Sequence, residues 1–231
     1  MINLNQFEVI SFDCYGTLID WENGLLPVLQ HLLSDHNITL SNDHALELFA
    51  ELEAQAETGT YQPYRQVLQQ VVMNIGSRFN FVPTETELNC LSDSIQNWLP
   101  FPDTVAALKI LKQKYRLAII SNIDDDLFTA TAQHLQVEFD WVITAQQLQS
   151  YKPAIANFRL AQERMNIASE RWLHLAQSLY HDIAPANSLG LTTVWVNRRR
   201  GQEGAGATLP AQAMPDLEVP DLQTLVASFS I

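Results

Sequence analysis

Five short apolar runs punctuate this chain, and longer stretches of helical periodicity lie between them. Val9-Ile10-Ser11-Phe12 ends at Asp13, and Leu117-Ala118-Ile119-Ile120 ends at Ser121-Asn122. Trp141-Val142-Ile143-Thr144, Trp172-Leu173-His174-Leu175 and Thr192-Thr193-Val194-Trp195-Val196 follow. Short continuous apolar runs rich in β-branched residues mark strands buried on both faces. The spacers between the later runs suit crossover helices, so the pattern predicts an α/β fold with a parallel sheet.

The interval between the first and second runs is far too long for one crossover. It carries amphipathic stretches instead: Leu25 to Leu33, Ala45 to Ala56, Tyr64 to Ile75 and Glu85 to Leu99. Residues 21–96 therefore read as a helical insertion, and residues 1–20 with 97–231 as the core that receives it. Pro100 and Pro102 mark the return to the core, with hinges expected near Asp20 and Pro100. Gly201 to Pro215, rich in Gly, Ala and Pro, reads as a mobile surface loop.

Composition narrows the function. A chain of 231 residues that is 47% hydrophobic can bury a sizeable core. Its 13 Lys and Arg stand against 26 Asp and Glu, a formal net charge of −13. Such a surface repels phosphate backbones and anionic membranes, which argues against nucleic-acid or membrane partners. The Arg198-Arg199-Arg200 run is a local exception that reads as a solvated loop, since no aromatics interleave it. Cys14 and Cys90 do not suggest a disulfide framework. No apolar run approaches the roughly 18–20 residues that span a bilayer, and the N-terminus lacks the pattern of a secretory signal. A cytoplasmic location is the expectation.

In open α/β sheets, ligands bind outside the carboxyl ends of the strands. Four features fall there. Asp13 follows the first run and leads into Cys14-Tyr15-Gly16-Thr17-Leu18, a tight turn that would fix and expose a carboxylate. Ser121-Asn122 closes the second run; taken alone, the pair reads as a helix cap. Lys152-Pro153 follows the third, and a lone Lys is ordinarily solvated. Ala176-Gln177-Ser178-Leu179-Tyr180-His181-Asp182 follows the fourth, where Asp182 could simply open a helix.

In order and spacing, these motifs resemble those of the haloacid dehalogenase superfamily, from residue 8 to about 197. The resemblance implies a Rossmann-like three-layer core with a parallel sheet and an inserted helical cap domain. It also implies Asp13 as nucleophile, Lys152 beside it, and Ser121 binding substrate. Asp182 would orient Lys152 or a water. Thr17, Asn122 and Ser178 join the candidate substrate-binding residues, and a homodimer is compatible with this reading.

Within the superfamily, phosphatases carry an Asp two residues after the nucleophile and a further acid in the fourth motif that completes a magnesium site. Here those positions are Tyr15 and Gln177. Asp-x-Tyr-Gly-Thr-Leu is instead similar to the L-2-haloacid dehalogenase subgroup, whose chemistry requires no metal. That likeness implies a hydrolase forming an aspartyl ester on a small carboxylic acid, with no cofactor. A Lys about 4 Å from Asp13 would favour its charged form by roughly 4 kcal/mol before desolvation, at an effective dielectric near 20. The subgroup's halide site uses an Arg from the first long cap helix, which Ala45 to Ala56 lacks; Arg65 is the candidate substitute. Tyr15 and Tyr64 are candidate pocket aromatics, while Trp21 and Tyr61 fit packing within the insertion at least as well. The six histidines lack metal-ligand spacing, with His181 the one expected near the site and read as structural. Two alternatives stand: a magnesium-dependent phosphatase, and a non-enzymatic binding protein on the same scaffold.

Overall fold

The computed structural model describes residues 2–202, 204 and 206–228. Six strands form one parallel sheet: β1 (Val9–Phe12), β2 (Arg116–Ser121), β3 (Trp141–Thr144), β4 (Trp172–Ala176), β5 (Thr192–Val196) and β6 (Leu217–Val219). Their order across the sheet is β3-β2-β1-β4-β5-β6. Five of them match the apolar runs. The sixth has no such signal, because Glu218 interrupts it and only Val219 is buried.

After β1, residues 21–94 form four helices: α1 (Trp21–Asp35), α2 (Asn42–Ala56), α3 (Tyr64–Phe79) and α4 (Glu85–Ser94). The stretch read as helical to Leu99 breaks at Ser94 into a 3-10 turn, Ile95–Asn97. Each helix buries a stripe, such as Leu25, Leu29, Leu32 and Leu33 on α1 or Val67, Leu68, Val71, Val72 and Ile75 on α3. Fully burying one such side chain is worth roughly 1.5–3 kcal/mol, so the stripes rather than intrinsic propensity hold the helices together. The chain leaves and re-enters the core at one place. Asp20 N–H donates to Leu99 O at 2.9 Å, Phe101 N–H donates to Leu18 O at 3.0 Å, and Ile19 bridges Pro100.

The remaining helices are α5 (Thr104–Leu111), α6 (Asp125–Leu135), α7 (Ala145–Leu148), α8 (Ile155–Met165), α9 (Ala184–Ser188) and α10 (Leu222–Ala227). The two-residue period of a strand sends neighbouring side chains to opposite faces. Val9, Ala118, Ile120, Ile143 and Trp172 share a cluster with Phe158 and Ala161 of α8 and Ala186 of α9. Ile10, Phe12, Leu117, Ile119, Leu173 and Leu175 share the larger cluster with α5, α6, α10 and the inserted helices. The result is a three-layer, Rossmann-like α/β core. Strand order reverses between β1 and β4, which opens a crevice at their carboxyl ends.

One expectation about the C-terminal third is corrected, and a second holds except at one point. Arg198 and Arg199 are not solvated: their side chains are 7% and 13% exposed and pair with Asp103 and Glu22. The loop from Gly201 is exposed at Gly201, Gln202, Gly204, Pro210, Gln212 and Met214, and is tied down at Gly206 and Ala207, which are buried. Ala207 is fully buried and donates its N–H to Glu22 Oε1 of α1 at 2.8 Å. A net charge of −13 leaves few cations, and these two are taken up by carboxylates that would otherwise be unpaired.

Candidate active site

Asp13 continues the β1 ladder by one residue, donating its N–H to Leu175 O at 3.0 Å. The chain then turns sharply, with the N–H groups of Leu18 and Ile19 converging on Cys14 O at 2.8 and 3.0 Å. Gly16 makes the turn feasible: its φ is +88°, and a Cβ there would lie 2.9 Å from Trp21 Nε1. Thr17, at the end of the turn, donates its hydroxyl to Asp13 Oδ2 at 2.7 Å and accepts the Gln177 N–H at 2.8 Å. Thr17 is fully buried, so it holds Asp13 in place rather than meeting a substrate. Arg198 clamps the same turn, donating from Nη2 to Thr17 O at 3.0 Å and pairing with Asp103.

Lys152 lies across from Asp13 and is 2% exposed. Its ammonium donates to Asp13 Oδ1 at 2.9 Å, to Asp182 Oδ1 at 2.7 Å and to Ile120 O at 2.9 Å. All three N–H donors are thereby engaged. Asn122 fixes the Lys152 backbone from both sides, accepting its N–H at 2.7 Å and donating to its carbonyl at 3.0 Å. Burial pushes the Asp13 carboxyl up, and the charge of Asp182 adds to this, while Lys152 pulls the other way. Burial also acts on Asp182, but Lys152 and His174 overcome it and hold that carboxyl below its usual range. Burial pulls the Lys152 ammonium down, and the two carboxylates outweigh it, leaving its pKa raised. The outcome is a buried ammonium shared by two carboxylates.

Asp182 is placed by a turn of π-helix, Leu179–Ile183, opened by Ser178, whose Oγ accepts His181 N–H at 3.0 Å. Such turns recur at functional sites because they re-aim side chains. Behind Asp182 lies His174, mid-strand in β4 and fully buried, with Nε2 at 3.0 Å from Asp182 Oδ1. An ionised carboxylate only accepts, so Nε2 carries a proton. The other ring nitrogen meets Ser11 Oγ at 2.7 Å, and Ser11 accepts Trp172 Nε1–H at 2.6 Å. His174 is a site residue that the spacing argument missed, since a His between two leucines of a buried strand looks like core. His181 is held neutral: burial lowers its pKa to about 4, and Lys152 adds to the fall against the pull of Asp182.

These groups line a cavity of about 40 Å³. Asp13, Tyr15, Ser121, Asn122, Lys152, Ser178, His181 and Asp182 face it from the sheet edge. Trp21, Glu53, Glu57 and Tyr64 face it from the inserted helices, and Thr208 from the loop after β5. Two of its polar atoms, Ser121 Oγ and Asp182 Oδ2, are buried without a hydrogen-bond partner. The Tyr15 hydroxyl meets Thr131 Oγ1 at 2.8 Å, and burial first, then nearby negative charge, holds the phenol well above its ordinary pKa. Tyr61 stacks on Tyr151 instead of lining the cavity.

Arg65 is not brought to the site. Its guanidinium pairs with Asp126 at 2.8 Å and with Asp93 at 3.7 Å, and its side chain is 38% exposed. The reason is the start of α3. Asp124 accepts the N–H groups of Tyr64 and Arg65 at 2.9 and 3.0 Å, docking this helix end on the core and turning Arg65 outward.

Magnesium, which the superfamily uses for phosphoryl transfer, prefers hard oxygen ligands with near-octahedral geometry. Both oxygens of Asp13 are engaged by Lys152 and Thr17, and Gln177 supplies no charge. Among the described residues, no group of three or more His, Cys, Asp or Glu side chains could hold a metal ion. The residues present do not fit a magnesium site.

A parallel sheet that ends its first strand on a carboxylate, with a buried lysine between that carboxylate and a second one, defines the α/β hydrolases that use an aspartate nucleophile. The chain belongs to the haloacid dehalogenase-like hydrolase family, which it matches over residues 7–190. It is 26% identical over 223 residues to the (S)-2-haloacid dehalogenase H-109 of Pseudomonas putida, covering 95% of this chain and 96% of that one. It is 34% identical over 202 residues to the glyceraldehyde 3-phosphate phosphatase of Methanothermobacter thermautotrophicus (strain Delta H), covering 83% and 86%. Among solved structures, an L-2-haloacid dehalogenase superposes with a TM-score of 0.77 at 26% identity, covering 96% of this chain and all of the other.

Proposed function

We propose that this chain hydrolyses the carbon–halogen bond of a small 2-haloacid through an aspartyl ester on Asp13, without a metal. The observation that carries the reading is the pairing of Asp13 with Lys152 at 2.9 Å, which favours the charged form of a carboxylate that burial pushes up, with no divalent ion. A carboxylate oxygen of Asp13 attacks the carbon bearing the halogen, and the halide leaves with the bonding pair. Water then attacks the carbonyl carbon of the ester, the hydroxyacid departs, and one proton passes to solvent. Asp182 Oδ2, buried and unpartnered beside the cavity, is the acceptor available to orient that water. Ser121 Oγ, equally unpartnered, is available to the substrate's carboxylate. Tyr15 keeps its proton and its bond to Thr131, so it gives the site no general base at the position a phosphatase needs one.

In this reading residues 21–96 are a cap domain, with hinges near Asp20 and Pro100, where the chain crosses between core and insertion. The free cysteines, Cys14 buried and Cys90 partly so, suit a cytoplasmic enzyme, and no described helix is long and apolar enough to cross a membrane. The test is a paired assay of chloroacetate and a generic phosphate ester, each with magnesium and with chelator. Halide release unaffected by chelator and abolished in Asp13→Asn is the expected result. Magnesium-dependent phosphate release, with no halide release, would transfer the chain to the phosphatase side of its family.

A further inference from the structure

The cavity meets the reaction just proposed with the wrong charge on one wall. Its one ammonium, Lys152, has every N–H committed to Asp13, Asp182 and Ile120 O. His181 is neutral. The inserted helices add no cation and present two carboxyl groups, Glu53 near the end of α2 and Glu57 just past it. Glu53 is 5% exposed and accepts the Tyr64 hydroxyl at 2.5 Å on Oε1. Glu57 is partly buried and accepts a long contact, 3.4 Å, from Asn122 Nδ2. No basic side chain among the described residues forms an ion pair with either.

Attack by a carboxylate on a saturated carbon is in line: nucleophile and leaving group lie on opposite sides of the carbon. Asp13 lines the cavity from the sheet edge and Glu53 and Glu57 line it from the helical side, so a halide leaving away from Asp13 would meet that wall. An ionised carboxylate there would repel the halide in a cavity of about 40 Å³, where solvent screening is weak. A carboxylic acid would do the reverse, offering an O–H donor to the departing charge. Buried Ser121 Oγ and Asp182 Oδ2 remain unpartnered in the same cavity, so it is built to receive a ligand rather than to pack shut.

We propose that Glu53 and Glu57 serve the reaction in their protonated form, as the hydrogen-bond donors that receive the leaving halide opposite Asp13. This rests on the hydrolase reading above and names what that reading lacks, a partner for the halide. The proton stays on the carboxyl, because a halide is far too weak a base to take it. The charged and titratable groups around the pair agree with this assignment. Tyr64 faces Glu53 from α3; Tyr151 and Lys152 approach from the segment before α8; Asp13, Asp182 and His181 lie across the cavity, and Asp124 lies at the start of α6. Burial raises Glu53 to about 7 against the Tyr64 hydrogen bond. Burial and then the charge of Glu53 raise Glu57 well above the usual range, with Lys152 and Asn122 opposing.

The experiment is the pH profile of halide release from chloroacetate, for the wild type and for Glu53→Gln and Glu57→Gln. Glutamine keeps a hydrogen-bond donor of the same length but cannot titrate. Wild-type kcat/KM is expected to fall about tenfold per unit above about pH 7, and at least one Gln variant to lose that alkaline limb. A wild-type rate that holds or rises up to about pH 9, or a limb unchanged in both variants, overturns the proposal. Chloride binding, read from the line width of chloride NMR on the intact protein, decides the matter without turnover. Broadening at about pH 6 that disappears near pH 8.5 in wild type and persists in a Gln variant supports the acid pair. Broadening that is absent, or insensitive to pH, refutes it. No halide release at any pH, with pH-dependent chloride binding intact, would sink the hydrolase reading and leave the acid pair standing.

Discussion

On the sheet side of the cavity, Asp13 and Lys152 each hold at least two hydrogen bonds at 2.7–2.9 Å, and the network extends without a gap to Trp172. On the helical side, Glu53 has a single partner and Glu57 a contact at 3.4 Å. The first wall is a set of charges whose solvation has been replaced by fixed partners. The second is a pair of acids whose burial has not been matched by any cation. Protein interiors make the first arrangement stable and leave the second poised between protonation states. The contrast teaches that in this fold the core can fix the nucleophile, while the insertion remains free to choose which chemistry meets it.

The sheet-side wall is the more costly to break. Lys152→Met leaves two buried carboxylates without a counter-ion, and we expect a loss of about 3–5 kcal/mol in denaturant unfolding together with loss of turnover. A variant as stable as wild type would show that Asp13 or Asp182 is already protonated.

The helical wall responds in the opposite direction. Glu53 has its pKa raised to about 7 in the folded chain against 4.5 without the fold. Its contribution to stability is therefore complete below about pH 4.5 and lost as pH rises through about 7. Glu53→Gln should gain stability relative to wild type across that window, by on the order of 2–3 kcal/mol, and stay level above it. Equal denaturation midpoints at about pH 8 and about pH 4.5 would remove the basis for a buried acid there.

His174→Phe tests how far the first wall depends on what lies behind it. Loss of the Nε2 donor to Asp182 should cost about 1–3 kcal/mol and raise the pKa of Asp182. The acid limb of the rate profile would move upward; a profile that does not move would confine His174 to packing. Arg65→Ala is the smallest effect. Its partners Asp126 and Asp93 are both 68% exposed, so stability should change by less than about 1 kcal/mol and turnover by less than about twofold. A large drop in turnover would bring Arg65 back to the site by a route that these ion pairs do not contain.

Much of the sheet-side wall was legible in the residues themselves. A parallel sheet gathers the carboxyl ends of its strands on one edge, so Asp13, Ser121 and Asn122 had to be neighbours once β1 and β2 were recognised. Lys152 and Asp182 follow by the same logic after β3 and β4. His174 was not legible, because nothing local separates a buried histidine that packs from one that steadies a carboxylate. The helical wall was harder, since a helix can present any face and only tertiary docking decides. Yet a signal existed: Leu46, Ala50, Glu53 and Glu57 follow one another at spacings of four, three and four. That spacing alone puts a glutamate on the apolar stripe of α2, which marks it as a buried acid. Arg65 shows the converse. Its residue type suited a halide, but the capping of α3 by Asp124 aimed it elsewhere.

The ammonium of Lys152 touches three different parts of the chain: Asp13 after β1, Ile120 in β2 and Asp182 after β4. A charge held at three points cannot swing when charge moves beside it. Water in the same place would have to turn its dipoles as Asp13 loses its charge to the ester and regains it at hydrolysis, and that turning is a large part of a barrier in solution. Here the orientation was settled when the strands came together, so the reorganisation belongs to folding and is not repeated at each turnover. A shift of a few tenths of an ångström between β2 and β4 would loosen that grip before it unfolded anything. Catalysis in this molecule should accordingly report on the alignment of its sheet more sensitively than stability does.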